Sequence, residues 1–218
     1  IKLKNQKKVG ISLRVENIEK YNEKRDAISQ DWIKFCNFAE LMPILIPNNL
    51  KNTKEFLESL NLDMLIFSGG DNIGDNIERD KTEKNMMEFA IKNKIPSLGV
   101  CRGMQVINKF FNGTIEKNND SSHIKNLHDI TLVNNGLIAS MKKKNLKVNS
   151  FHNNIITQSN LGNNIEPFAI TNNDKTIEGF FHKILPIAAV MWHPERDSNK
   201  ENQLIVKQIL AKKLFWNE

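Results

Sequence analysis

The chain has little cysteine. Two residues, Cys36 and Cys101, in a sequence of 218 cannot make the disulfide framework of a small secreted domain, and so low a count suits a reducing cytoplasm. No apolar run is long enough to cross a bilayer, and the early lysines lead into only a short apolar stretch, so neither a membrane span nor a signal peptide is expected. There is no internal repeat and no domain linker. Although the net charge is +6, the lysines are spread out rather than interleaved with aromatics in a nucleic-acid motif. The positive balance reflects either genome composition or a preference for an anionic small substrate. The expectation is one cytoplasmic domain over residues 1–218 with no membrane or nucleic-acid partner. With 39% hydrophobic and 26% charged residues, it is long enough for one sizeable core.

What is present centres on Ile95 to Asn108, Ile-Pro-Ser-Leu-Gly-Val-Cys-Arg-Gly-Met-Gln-Val-Ile-Asn. It opens as a short apolar run after a proline, the pattern of a buried parallel strand, and closes as a helix with Met104, Ile107 and Phe111 at helical spacing. Between them, Gly99-Val100-Cys101-Arg102-Gly103 has the form of a nucleophile elbow with cysteine in the place of serine. Small flanking residues let the backbones pass closely. A thiol at a helix N-terminus also meets free N–H groups and the positive end of the helix dipole, which favour thiolate. Alone, the motif is equally compatible with an inert cysteine at a strand end.

The chain before this stretch alternates. Lys8 to Leu13 reads as a first buried strand with Arg14 at its end, where an arginine either holds an anionic group or simply faces solvent in a connecting loop. A helix is expected within Asp26 to Leu41, with Trp32, Phe35, Cys36 and Ala39 on its core face. A second strand follows at Pro43 to Ile46, then a helix capped at Asn52 or Thr53 and a third strand at Met64 to Phe67. That strand runs into Ser68-Gly69-Gly70-Asp71, either a plain tight turn or half of an oxyanion hole built from backbone N–H groups. A helix started by Asp80 precedes the elbow. Beyond Gly113, short strand-like segments separated by Asn- and Gly-rich turns imply an antiparallel extension, with Ile187 to Trp192 returning beside the nucleophile strand. Leu204 to Leu214 reads as a closing helix. The fold class expected is α/β, an open doubly wound sheet, mostly parallel with an antiparallel extension.

A cysteine nucleophile needs a base, and the base needs an orienting acceptor. His193-Pro194-Glu195 supplies both types two residues apart, so that an extended segment would point them to one face. His-Pro-Glu alone also fits a surface turn; joined to the elbow it completes a triad constellation. His123 and His128 have no convincing third partner for a metal, and none is expected.

Together these stretches resemble the class I glutamine amidotransferase superfamily, whose flavodoxin-like domains carry a Cys-His-Glu triad that cleaves a γ-glutamyl amide. The stand-alone γ-glutamyl hydrolase-like branch is indicated by Arg79-Asp80 before the elbow and by Cys-Arg-Gly within it. Asn108 followed by Gly113-Thr114, and Val-Asn-Ser-x-His at Val148 to His152, point the same way. Two departures stand out: Asn112 where a glycine is usual, and Asn153-Asn154 where His-Gln is frequent.

The resemblance implies Cys101 as nucleophile, His193 as general acid and base, and Glu195 as orienting carboxylate. The backbone N–H groups of Gly70 and Arg102 would bind the oxyanion, while Gln105, Ser150, Phe151 and His152 would line the γ-glutamyl pocket. It implies no metal or organic cofactor and a small γ-glutamyl substrate, handled by a monomer or homodimer. Arg14 and the basic balance suit a nucleotide-linked leaving group. Hydrolysis of γ-glutamyl-γ-aminobutyrate or poly-γ-glutamate, and a glutaminase subunit feeding ammonia to a synthetase, are the alternatives, with a non-catalytic binding module as the third class.

Overall fold

Short apolar runs alternating with capped amphipathic stretches build the first half of the chain. The computed structural model describes residues 6–117, 124–151, 154–196 and 200–216. Strand β1 (Lys7–Ser12) leads into a hairpin of β2 (Arg14–Ile18) and β3 (Glu23–Ala27). Then come α1 (Gln30–Ala39), β4 (Leu41–Ile46), α2 (Thr53–Ser59), β5 (Met64–Phe67), α3 (Ile77–Asn93), β6 (Ser97–Val100) and α4 (Arg102–Phe110). The second half adds β7 (Glu116–Lys117), β8 (Ile124–Leu132), α5 (Asn135–Met141), β9 (Asn145–Phe151), β10 (Asn154–Ile155), β11 (Ile165–Thr171), β12 (Ile177–His182), β13 (Ile187–Val190) and α6 (Lys200–Leu210).

Nine of these strands form one sheet in the order β4-β1-β5-β6-β13-β12-β11-β8-β9. The first five are parallel and the remaining four extend the sheet antiparallel. Helices cover both faces. On one side Trp32, Phe35 and Cys36 of α1 and Ile205, Val206 and Ile209 of α6 pack against Leu98 and Val100 of β6. On the other, Met86 and Met87 of α3 and Met104 and Ile107 of α4 pack with Leu65 and Phe67 of β5. Because successive strand residues alternate faces, Leu98 and Val100 share one layer and Gly99 is left facing α4. There a Cβ on Gly99 would lie 2.6 Å from the Gly103 carbonyl oxygen, and one on Gly103 only 2.0 Å from the Phe67 carbonyl oxygen, so the elbow's crossing demands glycine at both places.

Element boundaries moved where side chains found distant partners. The first helix begins at Gln30, capped by Ser29, because Asp26 belongs to β3 and accepts from Asn48 N at 2.8 Å and Asn48 Nδ2 at 2.7 Å. Helix α3 begins at Ile77 rather than Asp80, whose carboxylate instead accepts from Gly74 N at 2.8 Å. Asn52 caps α2 by accepting from Glu55 N at 3.2 Å. The closing helix is Lys200–Leu210, displaced toward the N-terminus from the apolar pattern. The β2/β3 hairpin and α5 lack a strong apolar period and went unanticipated. No described helix is long and apolar enough to cross a membrane.

Candidate active site

The carboxyl ends of three adjacent parallel strands supply the chemistry. β5 ends at the Ser68–Asp71 loop, β6 at Cys101, and β13, hydrogen-bonded beside β6, delivers His193. Cys101 adopts φ 52° and ψ −105°, a conformation that L residues rarely occupy, between strand and helix. Its amide is held by the Val190 carbonyl at 2.9 Å. The side chain is 9% exposed and faces a cleft of about 290 Å³ that Gly70, Arg102, Gln105, Phe151 and His193 also line. Cys36, by contrast, lies wholly in the core, where burial pushes its thiol up to about 11.

His193 and Glu195 meet by a different route from the extended one expected. β13 stops at Val190, and Pro194–Arg196 form a 3-10 turn, which proline at its first position favours. The curl still brings His193 Nδ1 to Glu195 Oε1 at 2.7 Å. Burial pulls the imidazole pKa down, but hydrogen bonds with Cys101 and Glu195 and the negative charge of both more than offset it and raise the pKa to about 9. Gly69 makes room for this contact: a Cβ there would stand 2.8 Å from His193 Cε1 and 3.6 Å from Cys101 Cβ.

Of the other expected residues, Gly70 holds φ 104° at the cleft beside Arg102. Gln105 lines the cleft and accepts from Asn154 Nδ2 at 3.3 Å, which gives the second departure a place in the site. Phe151 is 41% exposed and sets its ring edge-on to His193, centroids 5.6 Å apart. Ser150 is fully buried and is not among the described residues lining the cleft. Nor is Arg14, which opens β2, sits behind the Gly69-Gly70 loop in a cavity of about 10 Å³ with Glu195, and pairs with Glu16 at 3.7 Å. His152, Asn153 and His123 lie outside the described residues. His128 pairs with Glu178 at 3.3 Å, and among the described residues no group of three or more His, Cys, Asp or Glu is arranged to hold a metal ion.

Three residues of the site were given no role in it by the sequence. Asn149 clamps the His193 backbone, accepting from its N–H at 2.8 Å and donating to its carbonyl at 2.9 Å. Arg196 lines the cleft with its guanidinium 5.3 Å from the Phe151 centroid. Glu83 joins two buried arginines, Arg79 and Arg102. Asn149 stands inside the Val148 to His152 stretch and Arg196 directly follows the His-Pro-Glu motif, so position alone could have drawn attention to both.

A family model described as Peptidase C26 matches residues 8–195, from the first strand to the His-Pro-Glu turn. The chain belongs to the Peptidase C26 family. It is 32% identical over 212 residues to the gamma-glutamyl-CDP-amidate hydrolase of Campylobacter jejuni, covering 92% of this chain and 96% of that protein. It is 29% identical over 154 residues to a glutamine-hydrolyzing GMP synthase subunit of Pyrococcus abyssi, covering 69% and 74%. The fold is shared with a glutamine amidotransferase of Thermotoga maritima, with a TM-score of 0.64, 14% identity, and 97% and 87% of the two chains aligned.

The structure gives physical reasons for the residues that suggested the family. In this Peptidase C26 chain Arg79 donates to the Ser68 and Gly69 carbonyls at 2.8 and 3.0 Å, and to Asp71 at 3.3 Å, so it shapes the loop that carries Gly70. Glu83 accepts from Arg79 Nε at 3.1 Å and Ser12 Oγ at 2.8 Å, and it also binds Arg102, which binds Asp80 as well. The elbow's arginine is thereby linked through Glu83 to the arginine that shapes the Gly70 loop. Burial pushes the Asp71 carboxyl up, but the Val15 N–H and Arg79 outweigh it and hold the carboxyl below its usual range. Asn108 donates to the Thr114 and Asn160 carbonyls at 2.8 and 3.0 Å and accepts from Gly162 N at 2.9 Å. Asn112, where glycine is usual, has φ 67°, a left-handed conformation that asparagine tolerates.

Proposed function

We propose that this chain is a cysteine-dependent hydrolase that cleaves a γ-glutamyl amide through a glutamyl thioester. The observation that carries the reading is Cys101 in its strained elbow, hydrogen-bonded to an imidazole whose Nδ1 rests on a buried carboxylate. The Cys101 sulfur attacks the γ-carbonyl, and the backbone N–H groups of Gly70 and Arg102 hold the oxyanion, each such donor worth roughly a hundredfold or more in rate. His193 then gives its proton to the departing nitrogen as the C–N bond breaks. It next takes a proton from water, whose oxygen attacks the thioester, and the released sulfur recovers its negative charge beside the imidazolium. Glu195 keeps the ring oriented throughout.

The substrate we favour is γ-glutamyl-CDP-amidate, cleaved to glutamate and cytidine diphosphoramidate, a step of capsule phosphoramidate synthesis. Similarity to a protein named for that reaction along nearly the whole chain supports it. A glutaminase subunit is the second reading, supported by the likeness to the Pyrococcus abyssi GMP synthase subunit. Glutamate release by the purified chain alone separates the two. We expect turnover of γ-glutamyl-CDP-amidate without any partner and little from glutamine, γ-glutamyl-γ-aminobutyrate or poly-γ-glutamate. Cys101→Ser should fold normally and release no glutamate; appreciable remaining activity would remove the thiol from the mechanism.

A further inference from the structure

His193 must protonate the departing nitrogen, so the leaving group passes next to the imidazole. Two side chains define that side. Phe151 lays its exposed ring edge-on to His193, and Arg196, one turn beyond it, sets its guanidinium 5.3 Å from the same ring. We propose that Arg196, braced on Phe151, is the specificity-determining contact for a phosphoryl group on the leaving side of the substrate. This rests on the hydrolase reading above and names the residue that would recognise the phosphoryl group of the leaving group favoured there.

The charges around the cleft single out Arg196. Arg102 is occupied by Asp80 and Glu83, and Asp71 by Arg79, Asn76 and the Val15 amide. The one ion pair of Arg196 among the described residues is a 3.7 Å contact between its Nε and Glu195 Oε1, an oxygen that His193 already holds at 2.7 Å. Asp31, held below the usual carboxylate range mainly by its hydrogen bond from Lys34, feels the Arg196 charge only as a minor addition. Most of the guanidinium donors therefore stay available in a fork suited to phosphate oxygens. The Phe151 ring beneath the guanidinium adds a cation–π contact, which limits the rotamer entropy lost on binding.

The test compares two substrates of the intact chain: a γ-glutamyl phosphoramidate and a neutral γ-glutamyl anilide. Arg196→Gln keeps much of the side chain's length while removing its charge. It should lower the ratio of kcat/KM for the phosphoramidate over the anilide by about ten- to a hundredfold, mostly through KM, as expected for one lost charge-assisted contact. Arg196→Lys should restore part of that ratio, since a point charge replaces the fork. Inorganic pyrophosphate should compete with the anilide in the wild type and much less in Arg196→Gln. A ratio that Arg196→Gln leaves unchanged, or equal pyrophosphate inhibition of both proteins, overturns the assignment. Anilide hydrolysis by the wild type shows in either case that the hydrolase reading survives. If the wild type cleaves neither substrate, the hydrolase reading fails and the assignment with it.

Discussion

Asn149 holds His193 by both ends of its own backbone: Oδ1 accepts from the N–H at 2.8 Å and Nδ2 donates to the carbonyl at 2.9 Å. Strand β9, at the far edge of the sheet, thus reaches the residue that follows β13 and sets where the imidazole starts. Asn149→Ala should leave two buried backbone groups without these partners, at a cost of about 1–3 kcal/mol each, and let the ring drift. Urea denaturation and kcat measured together check this. A drop in kcat of roughly a hundredfold is expected from displacement of this order. Full activity would show that the ring is positioned by other contacts.

The imidazole is protonated further into alkali than an ordinary histidine, with a pKa raised to about 9. Its proton is needed by the leaving nitrogen, so kcat/KM should fall on the alkaline side as pH passes through that value. Glu195→Gln removes one of the contributions that raise it, and the limb should move to lower pH. Stability follows the same sign: the benefit of the protonated ring is complete below about pH 6.5, its unfolded value, and is lost as pH climbs through about 9. Urea midpoints at pH 6 and pH 9.5 in wild type and Glu195→Gln measure this, with the smaller difference expected in the variant.

Glu83 is fully buried between two buried arginines. Glu83→Ala would leave the charges of Arg79 and Arg102 poorly compensated and should cost about 3–5 kcal/mol, as breaking buried pairs does. Thermal and urea unfolding give the number. Since Arg79 also shapes the Gly70 loop and Arg102 opens the elbow helix, activity should fall in whatever fraction stays folded.

Gly69→Ala tests crowding rather than charge. The added methyl would lie 2.8 Å from His193 Cε1, so the ring must shift from its place beside Cys101 and Glu195. The expected result is loss of most activity with little change in unfolding midpoint. Gly136→Ala on α5, where an added Cβ would come no nearer than 3.4 Å to Asn134 Oδ1, is the matching control and should leave activity unchanged and raise stability by at most about 1 kcal/mol.

Much of this architecture is written locally. Apolar runs at Met64 to Phe67 and Ser97 to Val100 were legible as strands because both of their faces are buried. The Asn52 cap was legible because a polar cap and its Glu55 partner lie within one turn. The elbow was legible for the same reason, its glycines being demanded by contacts within the motif and with the next strand. The helix start at Ile77 was misplaced because Asp80 spends a carboxylate oxygen on the Gly74 backbone outside the local turn.

By itself the amino-acid order determined the alternating α/β architecture, the strand-to-helix turn at Cys101 and the residue types able to act there, since each depends on neighbours a few positions away. The return of β13 beside β6 was already expected from the order of the segments, but only the tertiary structure decided the register and the turn after it that bring His193 to the sulfur. It alone revealed that Glu83 joins Arg79 to Arg102, that Asn149 fixes the imidazole's backbone, and that Arg196 turns back over Phe151. The reason is geometric: strand order and register, not local spacing, select which distant side chains come within hydrogen-bonding reach.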